Sequence, residues 1–225
     1  MTIIISVEGN IGSGKTTLLQ ELEGLTFSKP HVVVLEQVGE WTDFKNSKGE
    51  NILELFYSNQ EKYSYMFQSY VLFSRVQHIL RAIEQNPDGI VICERCHLTD
   101  LMIFARSLFE LQKLNEMEWI IYQNWHQMIR KMFEISVTAV IYNRAHPDIC
   151  ASRIAKRNRS GESDIPLSYL ELIHQKHDDW LISNTISDAP VDNILLINGD
   201  QDHSNKEERD LQLISITNFV NNLLV

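Results

Sequence analysis

Apolar residues in this chain follow two spacings. Five short continuous runs, Ile3–Val7, Val32–Leu35, Ile90–Cys93, Val137–Tyr142 and Ile194–Ile197, are dominated by β-branched and aliphatic residues. Runs of that kind, rather than alternating ones, predict buried strands of a parallel sheet covered on both faces. Between them, apolar positions recur at helical spacing. Residues 52 to 85 read as helical with a break near Ser58-Asn59, and two helices fill 97 to 134, broken near Lys113-Leu114-Asn115. Pro147 suits the first position of a further helix reaching the Arg157–Gly161 stretch. Pro166 starts the next, with Leu167, Leu170, Ile173 and Trp180 as one stripe, and Leu213, Ile216, Val220 and Leu223 mark a C-terminal helix. Strands alternating with helices, without repeats or a linker, predict one α/β domain over residues 1–225. Its architecture is a doubly wound, five-stranded parallel sheet with helices on both faces.

Chemistry enters at the end of the first run. Gly9-Asn10-Ile11-Gly12-Ser13-Gly14-Lys15-Thr16-Thr17 follows a strand and opens a helix, the context a GxxxxGK[ST] phosphate loop requires. Its glycines let backbone N–H groups turn towards phosphate oxygens, and the next helix offers its positive end. Lys15 is expected to reach the terminal phosphates of a nucleoside triphosphate and Thr16 to sit on Mg²⁺. Ligands of such sheets collect at the carboxyl ends of the strands. Glu36 follows the second run and Glu94-Arg95 the third. An acid–arginine pair, with Glu94 resembling the strand-end acid that binds magnesium, and Glu36, read either as the carboxylate that takes a proton or as a solvated strand-end acid, therefore converge on one crevice.

Composition narrows the partners. A chain of 225 residues, 44% apolar and 22% charged, is long enough for a full core. The formal net charge of -10 argues against nucleic-acid binding, and no apolar run reaches membrane-spanning length. With the first strand beginning by residue 3, no leader is expected, and a cytoplasmic location follows. Cys93, Cys96 and Cys150 suit a reducing compartment. Cys93 and Cys96 form a CxxC, but one pair cannot close a zinc site, and Cys93 reads as a core side chain.

Two further stretches carry candidate chemistry. Arg153, Lys156, Arg157 and Arg159 precede Ser160-Gly161-Glu162-Ser163. They read either as a solvated basic helix end or, preferred in so acidic a chain, as a lid (about 153–165) that closes arginines over a triphosphate. In the aromatic-rich segment from Phe56-Tyr57 to Tyr70, most rings read as core. Gln68 is placed as an amide that reads a nucleobase edge.

Taken together, Gly9–Thr17, Glu36-Gln37-Val38-x-x-Trp41, Phe67-Gln68-Ser69-Tyr70, Glu94-Arg95, Glu118-Trp119-x-x-Tyr122-x-x-Trp125 and Arg157-x-Arg159…Ile165-Pro166-Leu167-x-Tyr169-Leu170 resemble the deoxynucleoside kinase family, over nearly the whole chain. The resemblance implies a phosphate-loop NTPase fold, a homodimer through the long helices, and transfer of the γ-phosphoryl group of ATP, with Mg²⁺, to the 5′-hydroxyl of a deoxynucleoside. It implies Glu36 as general base, Arg95 on the 5′ oxygen, and Thr16 with Glu94 at the magnesium. Tyr57 and Glu162 would bracket the 3′-hydroxyl. Gln68 would read the base, with Trp41 and Phe67 around it. Arg153, Arg157 and Arg159 would meet the donor phosphates, and Asp202 would lie near the donor base. Arg75 and Asp100 stand where thymidine-accepting members carry Met and Ala. This favours purine deoxynucleosides, with deoxycytidine close behind, although Val71 resembles the thymidine-accepting members. The sequence departs from the family pattern at Gln37, Cys96, Leu101 and Gly161, none of them a catalytic position. Two other readings of the same residues stay open: a nucleoside monophosphate kinase, with Arg75 and Arg95 on an acceptor phosphate, and a non-catalytic nucleotide-binding subunit of the same fold.

Overall fold

Side chains alternate across β1 (Ile3–Glu8): Ile3, Ile5 and Val7 enter one core layer and Ile4 the other, which puts Ser6 and Glu8 on the side of Ile4. A computed structural model describes residues 2–159, 165–183, 191–201 and 205–224. In chain order the elements after β1 are α1 (Lys15–Glu23), β2 (His31–Val34), α2 (Val38–Asp43), α3 (Ile52–Ser58), α4 (Gln60–Gln85) and β3 (Ile90–Glu94). Then come α5 (His97–Thr99), a π-helical segment (Asp100–Ala105), α6 (Arg106–Glu110), α7 (Glu116–Phe133) and β4 (Ala139–Arg144). The chain ends with α8 (Pro147–Arg157), α9 (Leu167–Leu181), β5 (Ile194–Asn198) and α10 (Lys206–Asn222).

The strands form one parallel sheet in the order β2-β3-β1-β4-β5. From β1 the chain leaves towards β2 and from β4 towards β5, so the crevice at the carboxyl ends of these neighbours is the topological switch point. One face of the sheet packs on Leu18, Leu19 and Leu22 of α1 and Ile216 and Val220 of α10. The other packs on α3, α4, the π segment, α7 and α9, with Leu72, Met102, Tyr122 and Trp180 among its buried side chains. Helices thus cover both faces, as the continuous apolar runs predict.

Two expectations need correction. The edge strands β2 and β5 are only partly covered, Leu196 of β5 being 52% exposed, because each has one neighbouring strand and lies at the rim of the helical layers. Leu167 leaves the α9 stripe for solvent, since it occupies the helix's first turn beyond the core edge. The break near Ser58-Asn59 has a local cause: Asn59 ends α3, and its side chain accepts from the Lys62 N–H to cap α4. Asn51 with Glu54 and Asn115 with Glu118 form capping boxes that start α3 and α7. Among the described residues, no helix is long and apolar enough to cross a membrane.

Candidate active site

The loop between β1 and α1 needs glycine at two points of contact. Gly9 (φ +148°) lies where a Cβ would come 2.5 Å from the Asn143 carbonyl oxygen, and Gly12 (φ +79°) where one would come 2.7 Å from that of Cys150. Gly14, also left-handed, leads into α1, which has neither a side-chain cap nor an acid in its first turn. The helix's first N–H groups therefore face the loop in want of an anion. Asn10 braces the loop from behind, its Nδ2 donating to the Leu170 carbonyl of α9 at 2.8 Å, and Asn143 donates to the Ser13 carbonyl at 2.9 Å. Lys15 Nζ donates to the Asn10 carbonyl at 2.8 Å. Burial, with Arg95 nearby, lowers the Lys15 pKa to about 8.

In front of this loop opens a cavity of about 680 Å³. Ile11, Gly12, Gly14, Lys15, Thr16 and Thr17 line one end, while Gly9, Asn10 and Ser13 shape the loop from outside the cavity wall. The charged residues predicted from the strand ends meet beside it. Thr16 Oγ1 lies 3.0 Å from both carboxylate oxygens of Glu94, where it donates its one proton. Glu36 accepts from Arg95 Nη1 at 2.8 Å on each oxygen and from Arg75 Nη2 at 3.0 Å. Burial alone would raise the Glu36 pKa, but the charges of Arg95, Arg75 and Lys15 prevail and hold its carboxyl well below the usual carboxylate range. Arg95 has a left-handed backbone (φ 62°) and lays its guanidinium 4.9 Å over the Phe104 ring.

The far end of the cavity is apolar with a few polar atoms. Trp41 and Phe67 meet edge to face at 5.6 Å, and Phe56 stacks on Phe67 at 4.5 Å, with Tyr57 and Val71 also in the wall. Gln68 is a buried residue of this wall, and among the described residues its Oε1 has no hydrogen-bond partner. A buried amide oxygen left unpaired on a residue that lines a cavity calls for a donor. Arg75 is fixed by Asp100, with Nε 2.9 Å and 3.2 Å from its two oxygens, and Arg75 Nη1 donates to the Glu94 carbonyl at 2.8 Å. The link from Arg75 to Glu36 joins the two ends of the cavity, and sequence reasoning missed it. Phe104 and Tyr169 are lining residues to which it gave no role.

Of the basic cluster, Arg153, Arg157 and Arg159 all reach the cavity. Arg153 does so as a clamp: its guanidinium donates to the carbonyls of Ser13, Gly199 and Gln201 at 3.2, 2.7 and 3.1 Å. Glu162 and Asp202, with much of the expected lid, lie outside the described residues. Cys93, Cys96 and Cys150 are free and buried, as the core reading of Cys93 expects.

The family model for deoxynucleoside kinase matches residues 5–221. The chain belongs to the deoxynucleoside kinase family. It is accordingly an ATP-dependent nucleoside kinase. Its relatives include a probable deoxycytidine kinase of fowlpox virus (strain NVSL), 32% identical over 98% of this chain and 89% of the relative. The deoxycytidine kinase of Mus musculus is 35% identical over 81% and 76%. A mitochondrial deoxyguanosine kinase of Xenopus laevis is 34% identical over 89% and 83%. The kinase thus lies at similar distance from enzymes named for a pyrimidine and for a purine.

Proposed function

We propose that this kinase transfers the γ-phosphoryl group of ATP to the 5′-hydroxyl of a deoxynucleoside, with a purine base preferred and cytosine close behind. The observation that carries this reading is the meeting, in one cavity, of the Glu36–Arg95 pair beside the phosphate loop with Gln68, whose Oε1 is unpaired among the described residues, at the apolar end. A triphosphate lies along the loop and the α1 N-terminus, with Lys15 exchanging the Asn10 carbonyl for a phosphate. The nucleoside places its sugar beside Glu36 and its base between Gln68, Trp41 and Phe67, and Tyr57 is the wall residue assigned to the 3′-hydroxyl.

Glu36 is ionised across the neutral range and a weak base. That suffices, because phosphoryl transfer through a loose transition state asks little of the nucleophile until bond formation is advanced. Arg95 holds Glu36 and stands where it can also meet the acceptor oxygen. Arg157 and Arg159 are the lid cations that approach the donor phosphates. Thr16 and Glu94 suit Mg²⁺: they offer adjoining hard oxygens and leave most of its six positions to water and phosphate. Magnesium held there would neutralise phosphate oxygens of the donor.

Support for the base preference comes from the Arg75–Asp100 pair, which narrows the space open to a thymine methyl group and presents polar atoms. A monophosphate acceptor is less well served, since the guanidinium groups of Arg75 and Arg95 already hold Glu36 and Asp100. A non-catalytic role is disfavoured by the intact Lys15, Thr16, Glu36, Glu94 and Arg95. The test is a kinase assay with Mg-ATP against deoxyguanosine, deoxyadenosine, deoxycytidine and thymidine in parallel. Turnover of the first three with thymidine poor supports the reading, and preferred thymidine turnover refutes the base assignment.

We further propose a homodimer through α4 and α7. On α7, Met117, Ile121, Trp125, Met128 and Met132 form one exposed apolar stripe, and Phe73 of α4 meets Trp125 at 5.9 Å. The single domain spans the chain, and its three buried, free cysteines support a reducing, cytoplasmic setting.

A further inference from the structure

Glu8, the last residue of β1, is wholly buried and stands beside the site without touching the cavity. One carboxylate oxygen, Oε1, gathers three donors: the Ser6 hydroxyl, the Thr99 hydroxyl at 2.6 Å and the Cys96 thiol at 3.6 Å. Thr99 Oγ1 in turn accepts from the Cys96 backbone N–H at 3.0 Å. The chain Glu8–Thr99–Cys96 thus ends at the peptide adjoining Arg95, whose left-handed backbone is costly for any residue with a side chain. On its other side, the Arg95 N–H donates to the Val7 carbonyl at 3.1 Å. Both ends of the strained residue are therefore pinned to the end of β1.

The second oxygen of Glu8 is turned to α9. Among the described residues, Oε2 has no hydrogen-bond partner and faces Nε2 of His177 on α9, 3.9 Å away, which has none either. His177 Nδ1 lies 2.7 Å from the Ile173 carbonyl, an acceptor only, so Nδ1 carries the ring proton. Burial lowers the His177 pKa to about 3, which leaves Nε2 as a bare lone pair. The pair is a gap in the hydrogen bonding of the core that a donor on residue 8 would close.

We propose that Glu8 and Thr99 are positioning residues of the phosphoryl transfer: together they hold the Arg95 turn in the conformation that brings its guanidinium onto Glu36. The proposal rests on the kinase reading. Glutamine at position 8 keeps an oxygen that accepts from Thr99 and offers an amide N–H to Nε2 of His177.

The experiment measures kcat, KM for Mg-ATP and for the preferred deoxynucleoside, and the thermal midpoint. It covers the wild type, Thr99→Val, Thr99→Ser, Glu8→Ala and Glu8→Gln, with Thr99→Val also in an Arg95→Lys background. Thr99→Val is expected to lower kcat about 10- to 100-fold with KM for Mg-ATP within about twofold, and Thr99→Ser to restore it. Glu8→Gln keeps at least about a third of wild-type kcat where Glu8→Ala does not. In the Arg95→Lys background the Thr99 substitution adds less than about twofold, because its effect runs through Arg95. Three results overturn the proposal: an unchanged kcat in Thr99→Val, a full multiplicative loss on top of Arg95→Lys, or Glu8→Gln as impaired as Glu8→Ala. If valine is not accommodated, Thr99→Ala against Thr99→Ser decides the same question. An inactive wild type counts against the kinase reading itself, whereas an active wild type with indifferent Thr99 counts against this inference alone.

Discussion

Glu36 is held by two arginines, and the pairing sets what its loss should do. Glu36→Gln removes the proposed proton acceptor and takes the paired carboxylate from Arg95, while Arg75 keeps Asp100. Turnover should fall at least about 100-fold, the low end for a general base, while calorimetry still detects nucleoside binding. Full activity in that variant would exclude the role. Lys15 gives a pH signature. With its pKa lowered to about 8, it is charged at pH 7 and neutral at pH 9.5 in the free protein. Because triphosphate favours the charged form, ATP affinity should fall above pH 8, by up to about tenfold per unit. A flat affinity between pH 7 and 9.5 would remove Lys15 from the phosphate site. At the base end, exchanging Arg75→Met together with Asp100→Ala should raise thymidine kcat/KM relative to deoxycytidine by at least about tenfold, since the new space admits a methyl group. Much of this was legible in the sequence, because Lys15, Glu36, Glu94 and Arg95 sit at motif positions or strand ends. The bond from Arg75 to Glu36 was not, since nothing in the chain indicates that residues 39 apart share a hydrogen bond.

Among the elements, the strands were the most legible, since each run of aliphatic residues falls within one or two residues of an observed boundary. The edge character of β2 and β5 was hidden, because strand order is decided by crossovers rather than by any one strand's residues. Two short elements also escaped. Six residues with glycine second leave α2 (Val38–Asp43) with little helical periodicity to detect. The π segment differs from an α-helix by its hydrogen-bond register, to which apolar spacing is blind; it carries Asp100 and Phe104, which meet Arg75 and Arg95. The phosphate loop offers a test at this scale. Gly12→Ala would drive a methyl group into the Cys150 carbonyl and Ile154 while forcing alanine to a positive φ. ATP binding should be lost, with destabilisation of at least about 1 kcal/mol read from denaturant unfolding.

For the molecule as a whole, association is the open quantity, and it has a direct test. Trp125→Glu places a charge in the middle of the α7 stripe and should convert a dimer into a monomer in sedimentation, with the fold retained. A wild-type monomer would refute the dimer. The cavity meanwhile draws on the ends of three strands and on helices from both layers, so its dimensions belong to the whole sheet. One clamp within it has a mechanical meaning. Arg153 grips the phosphate loop through Ser13 and the loop after β5 through Gly199 and Gln201. Two segments about 186 residues apart in the chain, from the 13 and 199 of those contacts, are thereby made one rigid jaw. A pull on either segment is therefore borne by the other, and a ligand on the phosphate loop would load the far edge of the sheet as well.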